Sequence, residues 1–203
     1  MTVEELNSKL GNIDIYLLDQ ILKGRFDKGM KILDAGCGEG RNLIYFMREG
    51  FSVWGIDENP LAIKYLHTLA RTINKSIPDE NFQLGDLRDI QFPDEYFEVV
   101  ISSAVLHFSE GKNDFLKMFS ELMRVLKPGG ILFLRMCTEV GMNNMEHVSE
   151  GTYKLPDGTI RYILTEEILG FLMEKYSLRY LEPFKSVVVH GQRSMATLVV
   201  EKT

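Results

Sequence analysis

The chain has 203 residues, 45% of them hydrophobic, which suits a single domain (1–203) with a substantial core. Its net charge of −6 argues against a broad nucleic-acid footprint, because phosphate contacts need an excess of lysine and arginine. Two cysteines, Cys37 and Cys137, are too few for a disulfide scaffold and indicate a reducing compartment. No signal peptide or membrane-spanning run is apparent, so we expect a cytoplasmic protein without membrane contact.

Helical and strand patterns alternate along the chain. Apolar residues close to a 3.6-residue period predict a helix over 2–23, within an N-terminal helical cap at 1–28. The apolar run 30–35 predicts a first strand, and a helix is expected from Glu39. The further predicted elements are a strand at 51–57, a helix from Asn59-Pro60, strands at 81–86 and 97–105, a helix at 113–126 ended by KPGG (127–130), and a strand at 131–136.

Strands that alternate with helices indicate an α/β fold with a mainly parallel sheet. Such sheets bind ligands at the carboxyl ends of their strands, near the point where the strand order reverses. The glycine-rich segment after the first strand, Asp57, Asp86 and the pair Ser102-Ser103 all lie at or near such ends. We therefore expect the functional site at this edge of the sheet.

The last part of the chain has a different pattern. Two β-branched runs, 186–190 and 196–202, flank the polar segment GQRSM and predict an antiparallel hairpin. Before them lies a long irregular stretch, and long loops in compact domains are usually functional or disordered. We interpret 137–165 as a lid inserted over the substrate.

The segment ILDAGCGEGRN (32–42) places glycines at every second position, Gly36, Gly38 and Gly40, after Asp34. Glycine lets a ligand approach the backbone, and a following helix start offers free N–H groups. The spacing differs from the G-x-G-x-x-G of dinucleotide-binding proteins. The carboxylate would repel a pyrophosphate but suits a cationic ligand, such as the ammonium group of an amino acid.

Four motifs in order, DAGCGEG, GIDENP, GDLRDIQFPDEYFEVVISSAVLHF and LKPGGILFL, extend over about 30–136 and resemble the class I S-adenosylmethionine-dependent methyltransferases of the type 11-like group. This resemblance implies a Rossmann-like three-layer sandwich with a mostly parallel seven-stranded sheet and a reversed C-terminal strand. It also implies S-adenosyl-L-methionine as methyl donor and S-adenosyl-L-homocysteine as product. The end of the chain is faintly similar to small tellurite-resistance and thiopurine-type methyltransferases.

The resemblance also implies roles for single residues. Asp57 would accept hydrogen bonds from both ribose hydroxyls, Asp86 would lie beside the adenine amino group, and Asp34 would orient the loop or the ammonium group. Simpler roles stay open, namely a helix cap for Asp57, a turn for Asp86, a loop former for Asp34 and a core filler for Cys37. The expected cofactor-binding residues are Asp34, Gly36, Cys37, Gly38, Gly40, Asp57, Glu58, Asp86, Leu87, Ser102 and Ser103.

Methyl transfer from a sulfonium is an in-line displacement, which proximity and orientation can accelerate without a catalytic dyad. The catalytic residue stays unassigned, with His107 and His190 as candidate bases and packing as the alternative for His107. The lid and the last hairpin supply further candidates for substrate contact, although tyrosines at such spacing more often pack. These substrate candidates are His147, Tyr153, Tyr162 and Arg193.

The motif of amino-base methylating members is absent, because the sequence after the fourth strand reads SSAV. We expect a methyltransferase with a small-molecule acceptor, no nucleic-acid partner, no metal, and a monomeric or homodimeric state. Two alternatives stay open: an S-adenosylmethionine-binding sensor or non-catalytic partner subunit, and a methyltransferase acting on protein or tRNA. A nicotinamide-dependent oxidoreductase is disfavoured by the glycine spacing.

Overall fold

The computed structural model describes residues 2–203. Its helices are α1 Val3–Leu10, α2 Ile15–Leu22, α3 Ile44–Arg48, α4 Pro60–Ile73, α5 Lys112–Val125 and α6 Glu166–Lys175. Its strands are β1 Lys31–Ala35, β2 Ser52–Asp57, β3 Phe82–Leu84, β4 Phe97–Ser103, β5 Leu126–Cys137, β6 Glu146–Ser149, β7 Thr152–Lys154, β8 Ile160–Tyr162, β9 Leu178–Tyr180, β10 Lys185–Val189 and β11 Arg193–Lys202. Among residues 2–203, no helix is both long and apolar enough to cross a bilayer.

The main sheet follows the order β10-β11-β5-β4-β1-β2-β3. Strands β1 to β5 pair in parallel, whereas β11 runs antiparallel to β5 and pairs antiparallel with both β10 and β9. The mostly parallel sheet with a reversed C-terminal strand is thereby confirmed. The described sheet has eight strands rather than the predicted seven, because β9 joins β11. A three-residue strand is too short to produce a periodic signal.

Two hydrophobic clusters cover the sheet. Ile32 packs in one cluster with Phe46 of α3, whereas its neighbour Leu33 packs in the other with Phe119 of α5. Because successive side chains of a strand point to opposite faces, the two clusters lie on opposite sides of the sheet. Helices α2, α3 and α4 cover one face and α5 and α6 the other, which confirms the three-layer arrangement.

The N-terminal segment differs from the single helix predicted over 2–23. It forms α1 and α2, separated at Gly11, whose φ of 64° ends α1. A Cβ at this position would lie 2.6 Å from Cδ1 of Ile44, so the close approach to α3 favours glycine. Asp14 then begins α2, accepting a hydrogen bond from the backbone N–H of Tyr16 at 2.9 Å.

Two further elements differ from the prediction in where they begin. The helix expected from Glu39 begins only at Ile44, because tight turns occupy the segment after the glycines. Within these turns, the N–H of Gly40 donates to the carbonyl of Cys37 at 2.9 Å. The segment KPGG (127–130) follows the end of α5 as predicted, but it lies inside β5. The pairing of β5 with β4 shifts its register between Phe97 and Val99, and this irregularity accommodates the extra residues of β5.

The segment 137–165 was expected to be irregular. It instead contains a three-stranded antiparallel sheet, β6-β7-β8, and Thr138 and Leu164 at its two ends form a parallel bridge. The segment therefore leaves the main sheet after β5 and returns beside its starting point. Strands of three or four residues with mixed polarity gave no alternating pattern long enough to detect.

Candidate functional site

The carboxyl ends of β1, β2, β3 and β4 meet at one edge of the sheet. Strand β1 lies between β2 and β4, so the chain reverses its direction of travel across the sheet at this point. A cavity of about 410 Å³ opens here, which we call the strand-end cleft. Its lining consists of Gly36, Arg41, Asp57, Glu58, Gly85, Asp86, Leu87, Arg88, Ser103, Ala104, Val105, Phe108 and Met118.

The glycine turn after β1 brings bare backbone to the cleft. The N–H groups of Gly36 and Cys37 both donate to the carbonyl of Ile56 in β2, at 2.8 and 3.0 Å. Gly36 has a φ of 82°, and a Cβ there would lie 2.4 Å from the Val105 side chain. A larger residue would therefore be both strained and obstructed.

Asp57, the last residue of β2, contacts this turn directly. Its Oδ2 accepts a hydrogen bond from the N–H of Gly38 at 2.7 Å, and its Oδ1 accepts one from the N–H of Asn59 at 2.9 Å. Each carboxylate oxygen can accept a second bond, so both remain competent for a vicinal diol. The cap of α4 is Asn59, whose Oδ1 accepts from the N–H of Leu61, so a helix cap does not explain Asp57.

Asp34 is 1% exposed, and neither of its carboxyl oxygens has a hydrogen-bond partner among the described residues. Burial raises the pKa of Asp34 to about 8, against the opposing charge of Arg41 and with a small addition from Asp57. A buried unpaired carboxyl group is costly. A cationic ligand group would relieve this cost, which fits the ammonium group of an amino acid.

Two arginines of the cleft were not predicted. Arg41 follows the glycine turn, and Arg88 bridges the carboxylates of Asp86 and Asp114. Asp86 also accepts the backbone N–H of Arg88 at 2.8 Å, so the predicted turn role is present while the residue still lines the cleft. Arg41 directly follows the motif DAGCGEG, and Arg88 lies within the motif that begins GDLRD, so their position in the sequence was the available signal for them.

Five predicted cofactor residues are not among the lining residues of the cleft, namely Asp34, Cys37, Gly38, Gly40 and Ser102. Cys37 packs in the cluster of α2, α3 and α4, where burial raises the pKa of its thiol, and it is the core filler of the alternative interpretation. Ser102 is fully buried. Gly40 has a φ of 83°, and a Cβ there would collide with Leu66, so it forms the turn rather than the lining. Ser103 does line the cleft, and its hydroxyl donates to Oδ2 of Asp14 at 3.1 Å.

A second cavity of about 290 Å³, which we call the lid cavity, shares Ala104 and Phe108 with the strand-end cleft. Ala104 has a φ of 64°, an uncommon value for a residue with a side chain, and its N–H donates to the carbonyl of Arg135 at 2.7 Å. The lining of the lid cavity consists of Ala104, His107, Phe108, Arg135, Cys137, Leu155, Asp157, Thr159, Arg161, Val189, Arg193 and Met195.

Two of the predicted catalytic and substrate residues lie in the lid cavity, His107 and Arg193. His107 is 6% exposed, and its Nδ1 has no hydrogen-bond partner among the described residues. Burial lowers the pKa of His107 to about 4, and the nearby arginine charges contribute to this. The imidazole is therefore neutral at physiological pH and only weakly basic.

The remaining candidates lie outside both described cavities. His190 occupies the hairpin turn with a φ of 52°, and the exposed His147 contacts the Tyr153 ring edge-on at 5.3 Å. Tyr162 is 1% exposed and stacks on Phe115 at 4.6 Å between ring centroids. The Tyr162 ring, predicted to contact substrate, is part of the core and lines neither cavity.

Known proteins share this architecture. A sequence family described as a methyltransferase domain matches residues 33–134, which is half of the chain. A Bacillus subtilis protein named as a methyltransferase, YqeM, is 33% identical over 138 residues, covering 68% of this chain and 53% of its own length. The chain thus spans about half the length of the curated relatives it matches, or less.

Two solved structures illustrate the similarity of fold. A SAM-dependent methyltransferase from Methanosarcina mazei is 24% identical, with a TM-score of 0.69 over 90% of this chain and 96% of that chain. The 1,6-didemethyltoxoflavin-N1-methyltransferase of Burkholderia thailandensis, solved with 1,6-didemethyltoxoflavin and S-adenosylhomocysteine, is 16% identical, with a TM-score of 0.69 over 98% and 82% of the two chains. The family match, together with the fold, shows that the chain belongs to the class I S-adenosylmethionine-dependent methyltransferases, whose cofactor is S-adenosylmethionine.

Proposed function

We propose that this protein transfers the methyl group of S-adenosylmethionine to a small-molecule acceptor held in the lid cavity. The observation that carries the proposal is the junction of two cavities at Ala104 and Phe108. One cavity has the polar groups that an adenosyl amino acid needs, and the other lies beneath the lid segment. Cavities of a few hundred Å³ suit ligands of this size.

The cofactor's parts match separate groups in the strand-end cleft and beside it. Asp57 offers two acceptor oxygens for the ribose hydroxyls, and Asp86 with Leu87 lines the part of the cleft assigned to adenine. The unpaired carboxyl of Asp34, which is buried just before the glycine turn and is not itself a lining residue, suits the ammonium group. Arg41, which lines the cleft, suits the carboxylate of the methionine part. Opposite charges in this pair match the two charges of an amino acid.

When bound, S-adenosylmethionine would supply a methyl group on a sulfonium. The acceptor's lone pair would form the new bond to the methyl carbon as the C–S bond breaks, and the electrons of that bond would stay on sulfur, which becomes a neutral thioether. The chain's residues contribute mainly orientation, because they hold the cofactor in the strand-end cleft and the acceptor in the lid cavity, on opposite sides of the junction between the two. His107 remains neutral through physiological pH, which leaves its ring nitrogen able to accept a hydrogen bond or a proton from the acceptor.

Thermal unfolding tests the cofactor part of the proposal. Wild type, Asp57→Ala and the exposed control Asp27→Ala are melted with S-adenosylhomocysteine, with NADH and without ligand. At a hundred times its dissociation constant, a ligand stabilises by about 2.7 kcal/mol. We expect this gain with S-adenosylhomocysteine in wild type and Asp27→Ala, and its loss in Asp57→Ala.

A shift only with NADH, or none at saturation, would overturn the proposal. The transfer itself is tested by the formation of S-adenosylhomocysteine from S-adenosylmethionine with a panel of small acceptors. Tight cofactor binding without transfer to any acceptor would instead support the alternative of a sensor or a non-catalytic subunit.

A further inference from the structure

We propose that the acceptor is an anion, a small carboxylate or similar oxyanion, bound in the lid cavity by Arg161 and Arg193 together with Arg135. This inference rests on the proposed function and specifies the substrate class of the same site. Three arginines line this one cavity in a chain whose net charge is −6. They come from three separate elements, namely β5, β8 and β11.

The charge of the cavity lining is positive. Asp157 is its only acidic residue, against three arginines. The Asp157 carboxylate already accepts hydrogen bonds from the N–H and the hydroxyl of Thr159, at 2.9 and 2.6 Å. Asp14, at the start of α2, pairs with Arg135 but does not line the cavity. The remaining charge therefore favours a negatively charged ligand.

The arginines keep donors free for such a ligand. Among residues 2–203, no acidic side chain lies within ion-pair distance of Arg161 or Arg193. The guanidinium of Arg161 lies over the Phe108 ring at 4.6 Å, and its Nη1 donates only to the adjacent carbonyl of Ile160. Arg135 has a buried Nε without a partner among the described residues. A planar guanidinium matches the two oxygens of a carboxylate.

The rest of the cavity limits the size and polarity of the ligand. Leu155, Val189 and Met195 provide apolar walls, and the volume is about 290 Å³. An acceptor with a short apolar body and one anionic group fits this combination. Because the cavity meets the strand-end cleft at Ala104 and Phe108, the bound anion would leave its other end facing the cofactor.

The experiment uses the whole 203-residue chain saturated with S-adenosylhomocysteine, whose binding is first verified by its own thermal shift. Benzoate is compared with its neutral amide, benzamide, and sodium sulfate with sodium chloride at equal ionic strength. The readouts are the melting temperature and the pKa of His107 from its ring NMR signals, assigned with His107→Gln. An anion beside His107 would offset the arginine charges, so its pKa should rise.

We expect benzoate or sulfate to raise both readouts and benzamide and chloride to leave them unchanged. A response to benzoate alone would indicate a carboxylate with an apolar body, and a response to sulfate alone a free oxyanion. The effect should be lost in Arg161→Gln/Arg193→Gln and retained in Arg48→Gln, an exposed arginine outside both cavities. The single variant Arg193→Gln removes an exposed side chain, so weakened binding is measurable even where the double variant does not fold.

Equal responses to benzoate and benzamide, no response to either anion, or responses that persist in Arg193→Gln and the double variant would overturn the inference. Because S-adenosylhomocysteine binding is measured separately, these outcomes would leave the cofactor assignment intact. Failure of S-adenosylhomocysteine to bind would instead contradict the proposed function itself.

Discussion

Asp14 and Arg135 form an ion pair of 2.9 Å between the start of α2 and the end region of β5. The same carboxylate oxygen accepts a hydrogen bond from Ser103, which lines the strand-end cleft, while Arg135 lines the lid cavity. One buried carboxylate at the N-terminal helices therefore positions residues of both cavities. Through Asp14, the N-terminal segment therefore helps to shape the site as well as covering one face of the sheet.

Replacing Asp14 should destabilise the protein strongly. Asp14→Asn removes a buried charge and leaves Arg135 without its partner, which costs roughly 3–5 kcal/mol. Asp14→Ala should cost about 1 kcal/mol more because it also removes the cap of α2. Asp19→Asn is a matched control, since it breaks partly exposed ion pairs that contribute at most about 1 kcal/mol. The free energies of unfolding are measured with urea. Equal losses in Asp14→Asn and Asp19→Asn would contradict the prediction.

Asp34 should make the ligand-free protein less stable as pH rises. Its pKa is about 8 in the folded chain and 3.8 as the reference value, so between these limits the folded state holds a proton that the unfolded state has lost. Stability then falls with pH by up to about 1.4 kcal/mol per unit. Asp34→Asn should remove this slope and be more stable than wild type near pH 7. Parallel stability curves for the two proteins between pH 4.5 and 8 would refute the prediction.

Cofactor binding should release a proton from the same group. At pH 7 the Asp34 carboxyl is mostly protonated, and an incoming ammonium group favours its ionised form. Calorimetric titration with S-adenosylhomocysteine in buffers of different ionisation enthalpy measures this release. We expect close to one proton in wild type and none in Asp34→Asn, which should also bind more weakly. A binding enthalpy independent of buffer would count against an Asp34–ammonium contact.

His107 should give the protein an acid-sensitive stability. Its pKa is about 4 when folded and 6.5 as the reference value, so the unfolded state binds more protons between these limits. Stability contributed by the neutral ring is present above about pH 6.5 and is lost as pH falls towards 4. His107→Gln should flatten this decline, whereas the exposed control His147→Gln should not. The free energy of unfolding is measured with urea at several pH values across this window. If it declines in His107→Gln as it does in wild type, other groups cause the decline.

Tyr162 should behave as a core residue rather than a substrate contact. Truncation in Tyr162→Ala removes the ring stacked on Phe115 and should cost roughly 3–5 kcal/mol. Tyr162→Phe keeps the ring, so its stability should stay within about 1.5 kcal/mol of wild type. Tyr153→Ala, a half-buried ring of the lid segment, should cost less than Tyr162→Ala. A loss of unfolding free energy in Tyr162→Ala no larger than in Tyr153→Ala, measured by chemical unfolding, would contradict a core position of the Tyr162 ring.

Much of the strand-end cleft was predictable, because the motifs that form it are short and local in the sequence. Asp34 lies in β1, Gly36 and Gly38 follow this strand, and Asp57 ends β2, so parallel pairing of the two strands brings them together. Parallel β1 and β2 must present their carboxyl ends at the same edge. Cys37 and Ser102 do not line the cleft, because a motif position does not tell which face of a turn or strand a side chain occupies.

The sequence by itself determined the alternation of strands and helices, the glycine turn and the family. These features depend on local periodicity and on residues a few positions apart. Only the tertiary structure decided that Arg135, Arg161 and Arg193 meet in one cavity and that Tyr162 does not. Their convergence depends on the antiparallel pairing of β11 with β5 and on the return of the lid segment to the bridge of Thr138 and Leu164. Such contacts join residues tens of positions apart, and no periodic pattern encodes which side chains then face each other.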